Sequence, residues 1–353
     1  MRKKHINVCC ITILFSLSIF NIRVLAANPL EYYYAIKPSS SELVALETVD
    51  EKINVCQIPA SILCGMQTEN LIEVVLDYPL LFNILCYKNL STGYDNLLNT
   101  FNGLKELEKR ENALGSILKI YMDIDISNIV RGGVEANKEY LKLIFIEILL
   151  AKLNVISSIE SNMSDKVEQV VLEKYNGKLK YPDIFGVYSD AYYSVSENVN
   201  GAKTSSDYVY TPVGSAVFVY VDTTPELTNF ELLMWSYYVS INYPDATIQS
   251  NATVKYNHHS YAWYDSSSNN LMSMPSASAY MNDGSYNSNA PIIAGTIVYY
   301  GAADFSAIVL GVGPNSGGSI PPVTVISKWG TGPLVVHNIY DCPYSIGNIS
   351  YWD

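Results

Sequence analysis

Imidazoles and thiols are the side chains best suited to moving protons or attacking carbonyl carbon near neutral pH. This chain has few of them. Its four histidines are His5, near the N-terminus, and His258, His259 and His337, all in the second half, where Cys342 is the sole thiol. Acyl transfer through a covalent intermediate needs a nucleophile at a helix start, where the dipole favours thiolate, an imidazole base on a following strand, and a third polar group that orients the base. The order of helix start at 257–264, strand at 306–312 and strand at 323–328 would supply those places. Ser327 falls where the orienting group belongs, although a serine at a strand end often does no more than bond backbone. His259 reads first as a packing or hydrogen-bonding group beside the helix start. His337 could pair with it, but a satisfied structural imidazole is the simpler reading. Cys342 lies in Asp341-Cys342-Pro343-Tyr344, a turn by virtue of Pro343, with no spacing that supports catalysis. Neighbouring side chains on a helix point about 100° apart, so His258 and His259 are poorly placed to chelate one ion. No metal and no cofactor is expected. Gly311-Val312-Gly313 and Gly317-Gly318 lie between strands and prolines and read as loops, not phosphate cradles.

The elements that would hold these residues fall into two groups. Helical periodicity runs from about residue 61 to 174. Leu71, Ile72, Val75 and Leu76 recur at the spacing of one helix face, with Thr68 placed as N-cap and Pro79 as the break. Further helices are expected over about 94–107 and 113–122, and residues 140–156 are apolar almost all round, the mark of a buried central helix. Ser164 is placed to cap a last helix through Tyr175. These make a helical bundle over 61–176, preceded by an extended segment over 27–60. Asn176-Gly177-Lys178 and Tyr181-Pro182-Asp183 are turn signals that open a linker over 177–205. In the second half, 206–353, Thr228-Asn229-Phe230-Glu231 is a capping box for a helix that Tyr243-Pro244 stops. Short β-rich runs at 296–300, 306–312, 323–327 and 334–336 predict a small antiparallel sheet. The fold class is α+β.

Several stretches of the chain are shared with a known family. Lys255-Tyr256-Asn257-His258-His259-Ser260-Tyr261-Ala262-Trp263-Tyr264, then Asp283-Gly284-Ser285-Tyr286, then Ser327-Lys328-Trp329-Gly330 with His337 resemble a family of exported Gram-positive proteins. Its C-terminal domain is similar to the papain-like cell-wall amidases and endopeptidases of NlpC and CHAP type. The helical half is similar to that family's N-terminal region through Thr68-Glu69-Asn70-Leu71-Ile72-Glu73, Leu76-Asp77-Tyr78-Pro79 and Phe101-Asn102-Gly103-Leu104. The resemblance covers most of the chain after residue 26 and implies a papain-like amidase-type domain over 206–353. The family pattern places a nucleophilic Cys in Asn-Cys-His-Ser-Tyr-Ala-Trp and a base in His-Ser-Ala-Ile-Val. Here His258 stands in the Cys place and Phe305 in the His place. An imidazole forms no thioester, and a phenyl ring neither accepts nor returns a proton. Triad groups act as a unit, so losing one already costs orders of magnitude in rate. The resemblance therefore implies a degenerate site that binds without cleaving, with Ser327 as a remnant. It also implies a groove for peptide or muropeptide lined by Tyr256, Trp263, Tyr280 and Trp329, near His259 and His337. Two alternatives stay open: an active amidase using Cys342 as a relocated nucleophile, and a partner-binding module carried by the helical half.

Composition sets the class of protein. Arg2, Lys3 and Lys4, the apolar run 11–20 and Val24-Leu25-Ala26 have the layout of a secretory signal peptide over 1–26, cleaved after Ala26. Its loss removes four basic residues and takes the net charge from −12 to −16. So acidic a chain, with no basic run after residue 26, excludes nucleic acid as a partner, and no later segment is long and apolar enough to span a membrane. The expectation is an extracellular protein of two modest domains. Cys56, Cys64, Cys86 and Cys342 allow three disulfide connectivities or four free thiols.

Overall fold

The computed structural model describes residues 32–37, 40–132, 135–156, 161–196, 204–314 and 322–353. The signal peptide expected over 1–26 and the Gly317-Gly318 loop lie outside the described residues. The first half is helical: Ser41–Val44 (α1), Val49–Val55 (α2), Ala60–Leu63 (α3), Thr68–Leu76 (α4), Leu90–Thr100 (α5) and Asn102–Leu107 (α6). Ala113–Asp123 (α7), Ile126–Arg131 (α8), Glu135–Ile156 (α9), Ser161–Lys178 (α10) and Ala191–Ser196 (α11) complete it. The second half is built from Thr204–Tyr210 (β1), Ala216–Asp222 (β2), Asn229–Asn242 (α12), Thr247–Ser250 (β3), His258–Trp263 (α13), Met272–Ser273 (β4) and Ser278–Asn282 (α14). It closes with Ile297–Tyr300 (β5), Phe305–Val312 (β6), Val323–Lys328 (β7), Leu334–Asn338 (β8) and Ile349–Trp352 (β9). Helices and antiparallel sheet together make the molecule α+β.

The bundle forms around α9. Leu143, Ile144, Phe145, Ile146, Ile148, Leu149 and Leu150 are all buried, as a helix apolar all round demands. The apolar face of α4 is buried as well, but its cap differs from the expectation. Thr68 is the first helical residue, behind Gln67, and its hydroxyl donates to Asn112 Oδ1 at 2.8 Å, tying α4 to the start of α7. The helix expected over 94–107 divides at Phe101, which is extended and wholly buried. The turn expected at Asn176-Gly177-Lys178 is instead the last turn of α10. The reason is electrostatic: Lys178 reaches back to the buried Glu147 of α9, with Nζ at 2.8 and 2.9 Å from its two oxygens, and Tyr121 donates to the same carboxylate. Each buried charge thereby finds a partner. Within 27–60, expected to be extended, α1 and α2 form, and α2 opens with a capping box between Thr48 and Glu51. Within 177–205, expected as a linker, α11 packs on α9 with Ala191 and Tyr192 buried.

Six strands form an antiparallel sheet in the order β3-β8-β7-β6-β5-β9, and β1-β2-β4 form a second sheet of three. The four strands foreseen are β5 to β8. Register divides the larger sheet into two faces. Residues 297, 299, 306, 308, 326 and 328 share one face, while 298, 300, 305, 307, 309, 325, 327 and 329 share the other. The first face receives α13, and Tyr256, Tyr261, Ile308, Ile326 and Leu334 cluster there. The second joins the core of the helical half: Phe305, Ala307, Val309, Val325 and Trp329 lie in one continuous apolar cluster with Leu71, Leu85, Phe145 and Leu149. Polar ties cross the same junction, including Lys52 to Asp341 at 3.1 Å, Tyr238 to Asn83 at 2.7 Å and Tyr344 to the carbonyl of Cys86. The four cysteines among the described residues are free; Cys64 is exposed, and Cys56, Cys86 and Cys342 are buried.

Candidate functional site

Asn257 is the N-cap of α13. Its side chain accepts from the backbone of Ser260 and of Met274 and donates to the Met274 carbonyl. That clamp fixes the helix start and puts His258 at its first position. The His258 ring lies 4.7 Å from the ring of Phe305, the first residue of β6, which stacks on Tyr344 at 3.7 Å. Burial, reinforced by His259 beside it, pulls the His258 imidazole well below its ordinary range. Its Nδ1 is buried with no hydrogen-bond partner. A neutral, half-orphaned imidazole against a phenyl ring has neither a nucleophile to activate nor a base to activate it.

His259 points to the α13-facing side of the sheet and makes contacts the sequence did not suggest. Nδ1 lies 2.9 Å from Ser306 Oγ, and Nε2 lies 3.2 Å from Asp304 Oδ1. Trp263 Nε1 donates to the same serine oxygen at 2.8 Å, and Tyr299 donates to Asp304. Nε2 thus faces the Asp304 carboxylate and Nδ1 the serine hydroxyl. The hydrogen bond from His259 is the largest influence on Asp304 and, with Tyr299, holds its carboxyl down at about 2. Serine, histidine and aspartate in hydrogen-bonded series form the constellation of acyl-transfer enzymes. Here Ser306 is fully buried and its oxygen is already occupied by an indole N–H, so no carbonyl can approach it. The set is a structural network. Its legible signal was Asp304-Phe305-Ser306 around a position singled out for another reason.

Ser327 and His337 form a second such set on the opposite face. Ser327 Oγ lies 2.7 Å from His337 Nε2 and accepts from Trp329 Nε1 at 3.0 Å, while His337 Nδ1 lies 2.7 Å from the Asn338 carbonyl. Nδ1 must therefore carry the proton, and Ser327 donates to Nε2. Burial pulls the His337 imidazole down to about 4. His337 thus does not pair with His259, since the sheet separates them, and Ser327 orients His337 and not the ring at 305.

The aromatic residues expected to line a groove are core. Tyr256, Trp263, Tyr280 and Trp329 are at most 3% exposed, because each packs on the sheet or against another ring. Cys342 is also wholly buried, and burial raises its thiol to about 12, the reverse of what a nucleophile requires. Among the described residues no cluster of His, Cys, Asp and Glu could hold a metal ion, and no helix is long and apolar enough to cross a membrane.

A separate opening lies elsewhere, where the two halves meet. A cavity of about 560 Å³ is bounded by residues 32–37, the end of α4, the first turns of α9 and the outer face of α12. Compared with protein-family models, curated proteins and solved structures, the chain matches none.

Proposed function

We propose that this chain is an exported, non-catalytic binding protein whose second half follows a papain-like amidase plan with its reacting pair replaced. The observation that carries the reading is the contact between His258 at the start of α13 and Phe305 at the start of β6. A papain-like site places its nucleophile and base at such positions, helix start against strand, and here neither side chain can perform the step. Two further facts support loss of chemistry over its relocation. Cys342 is sealed and held as a thiol, and the two buried serines at imidazoles are capped by indoles. Export rests on the basic, apolar and small-residue layout of residues 1–26, and a peptide or cell-wall fragment as ligand rests on the family resemblance. The test is hydrolysis of peptidoglycan fragments and simple amide and ester substrates by the purified chain, beside a His258→Cys/Phe305→His variant. The natural protein should be silent and the double variant active. Turnover by the natural protein overturns the reading.

A further inference from the structure

The cavity between the halves combines two kinds of wall. One is aromatic and firm: Phe82 stacks on Tyr238 at 4.0 Å, Tyr238 is anchored through its hydroxyl to Asn83, and Tyr78 stacks on Phe101 at 4.0 Å. Tyr237, 45% exposed, stands at the α12 side of the opening. The other wall is charged. Lys138 and Lys142, one turn apart on α9, both reach Oδ1 of Asp77, at 3.1 and 2.8 Å. Each ammonium carries three N–H donors, so donors outnumber the single carboxylate oxygen they share. Three lysines (37, 138 and 142) and two carboxylates (Glu73 and Asp77) line the cavity, a local excess of positive charge in a chain of net charge −12. Volume and mixed lining are those of a small-molecule site at a domain junction.

We propose that this cavity binds a small organic acid with an apolar or aromatic body, its carboxylate held by Lys138 and Lys142 and its body packed among the tyrosines. A peptide C-terminus and a free fatty acid share that chemistry. The inference rests on the cavity alone: its failure leaves the amidase-plan reading intact, since that reading is tested by hydrolysis at positions 258 and 305. The test is calorimetric titration of the full mature chain with N-acetyl-Leu-Phe as the free acid, the same peptide as its C-terminal amide, and decanoate. An acid should bind roughly tenfold or more tighter than the amide, as expected for a charge-assisted hydrogen bond. Preference for the peptide acid or for decanoate names the source. Lys138→Met, at a 59% exposed position where folding is not at stake, should narrow the acid's advantage over the amide. Tyr237→Ala should weaken both. Equal binding of acid and amide, no binding of any of the three at millimolar concentration, or an unaltered preference in Lys138→Met would each overturn the proposal.

Discussion

His258 and His337 are both held neutral by burial, yet they differ in what they give the fold. His337 satisfies both ring nitrogens, whereas His258 leaves one unpaired. An orphaned buried polar atom costs about 1–3 kcal/mol. His258→Leu should therefore hold or raise the melting temperature, and a large fall would show that the ring has a partner after all. The pH dependence follows from His337. Between its ordinary 6.5 and about 4, the unfolded chain takes up a proton that the folded chain refuses. The unfolded state binds more protons in that window, so stability rises with pH and is lost on acidification, by up to about 3 kcal/mol. His258 adds loss in the same direction, and Asp304 adds more below 3.8. Melting curves from neutral pH to about pH 4 should show this fall, and His337→Gln should flatten it. The histidines were legible as the places to look, because they are so few. Their partners were not: Ser306 and Asp304 reach His259 only through strand register, and nothing in local spacing announces which face of a strand a helix will cover.

At the scale of elements, α12 is fixed by one carboxylate. Glu231 closes its capping box on Thr228 and also accepts from the backbone of Val187 and Tyr188 and from the Tyr140 hydroxyl. It is fully buried, with four donors and no cation among these contacts. Glu231→Ala would orphan all four and should cost roughly 3 kcal/mol or more, whereas Thr228→Ala should cost about 1 kcal/mol. Gly186→Ala tests the same joint from the other side, since its Cβ would fall 2.4 Å from Glu231 Oε2. Urea unfolding of the three variants checks the order. The capping box itself was readable from Thr228-Asn229-Phe230-Glu231, and the four central strands from their β-branched runs. The β1–β2 hairpin was not, because β1 reads Thr-Ser-Ser-Asp-Tyr-Val-Tyr and buries Val209 alone among its side chains that the structure places. Nor was the length of α10, whose end is set by a charge 31 residues earlier.

For the whole molecule, the decisive feature is that one core runs through both halves. The chain should unfold in a single cooperative transition, and residues 27–196 or 204–353 alone should show none by calorimetry. Gly330 lies at a close approach between the halves. Its φ is +54°, and a Cβ there would lie 2.5 Å from the Leu85 carbonyl oxygen. Gly330→Ala should destabilise the full chain by roughly 3 kcal/mol or more. Separate melting of the two halves would contradict the shared core.

The four free cysteines carry a consequence of that arrangement. Among the described residues Cys64 alone offers its sulfur to solvent, while Cys56 and Cys86 sit in the helical half and Cys342 in the sheet half. These four thiols form a chemical clock: one reacts with a maleimide at once, and three more become available only when the interior opens. If the halves come apart together, the three slow labels will arrive at one shared rate.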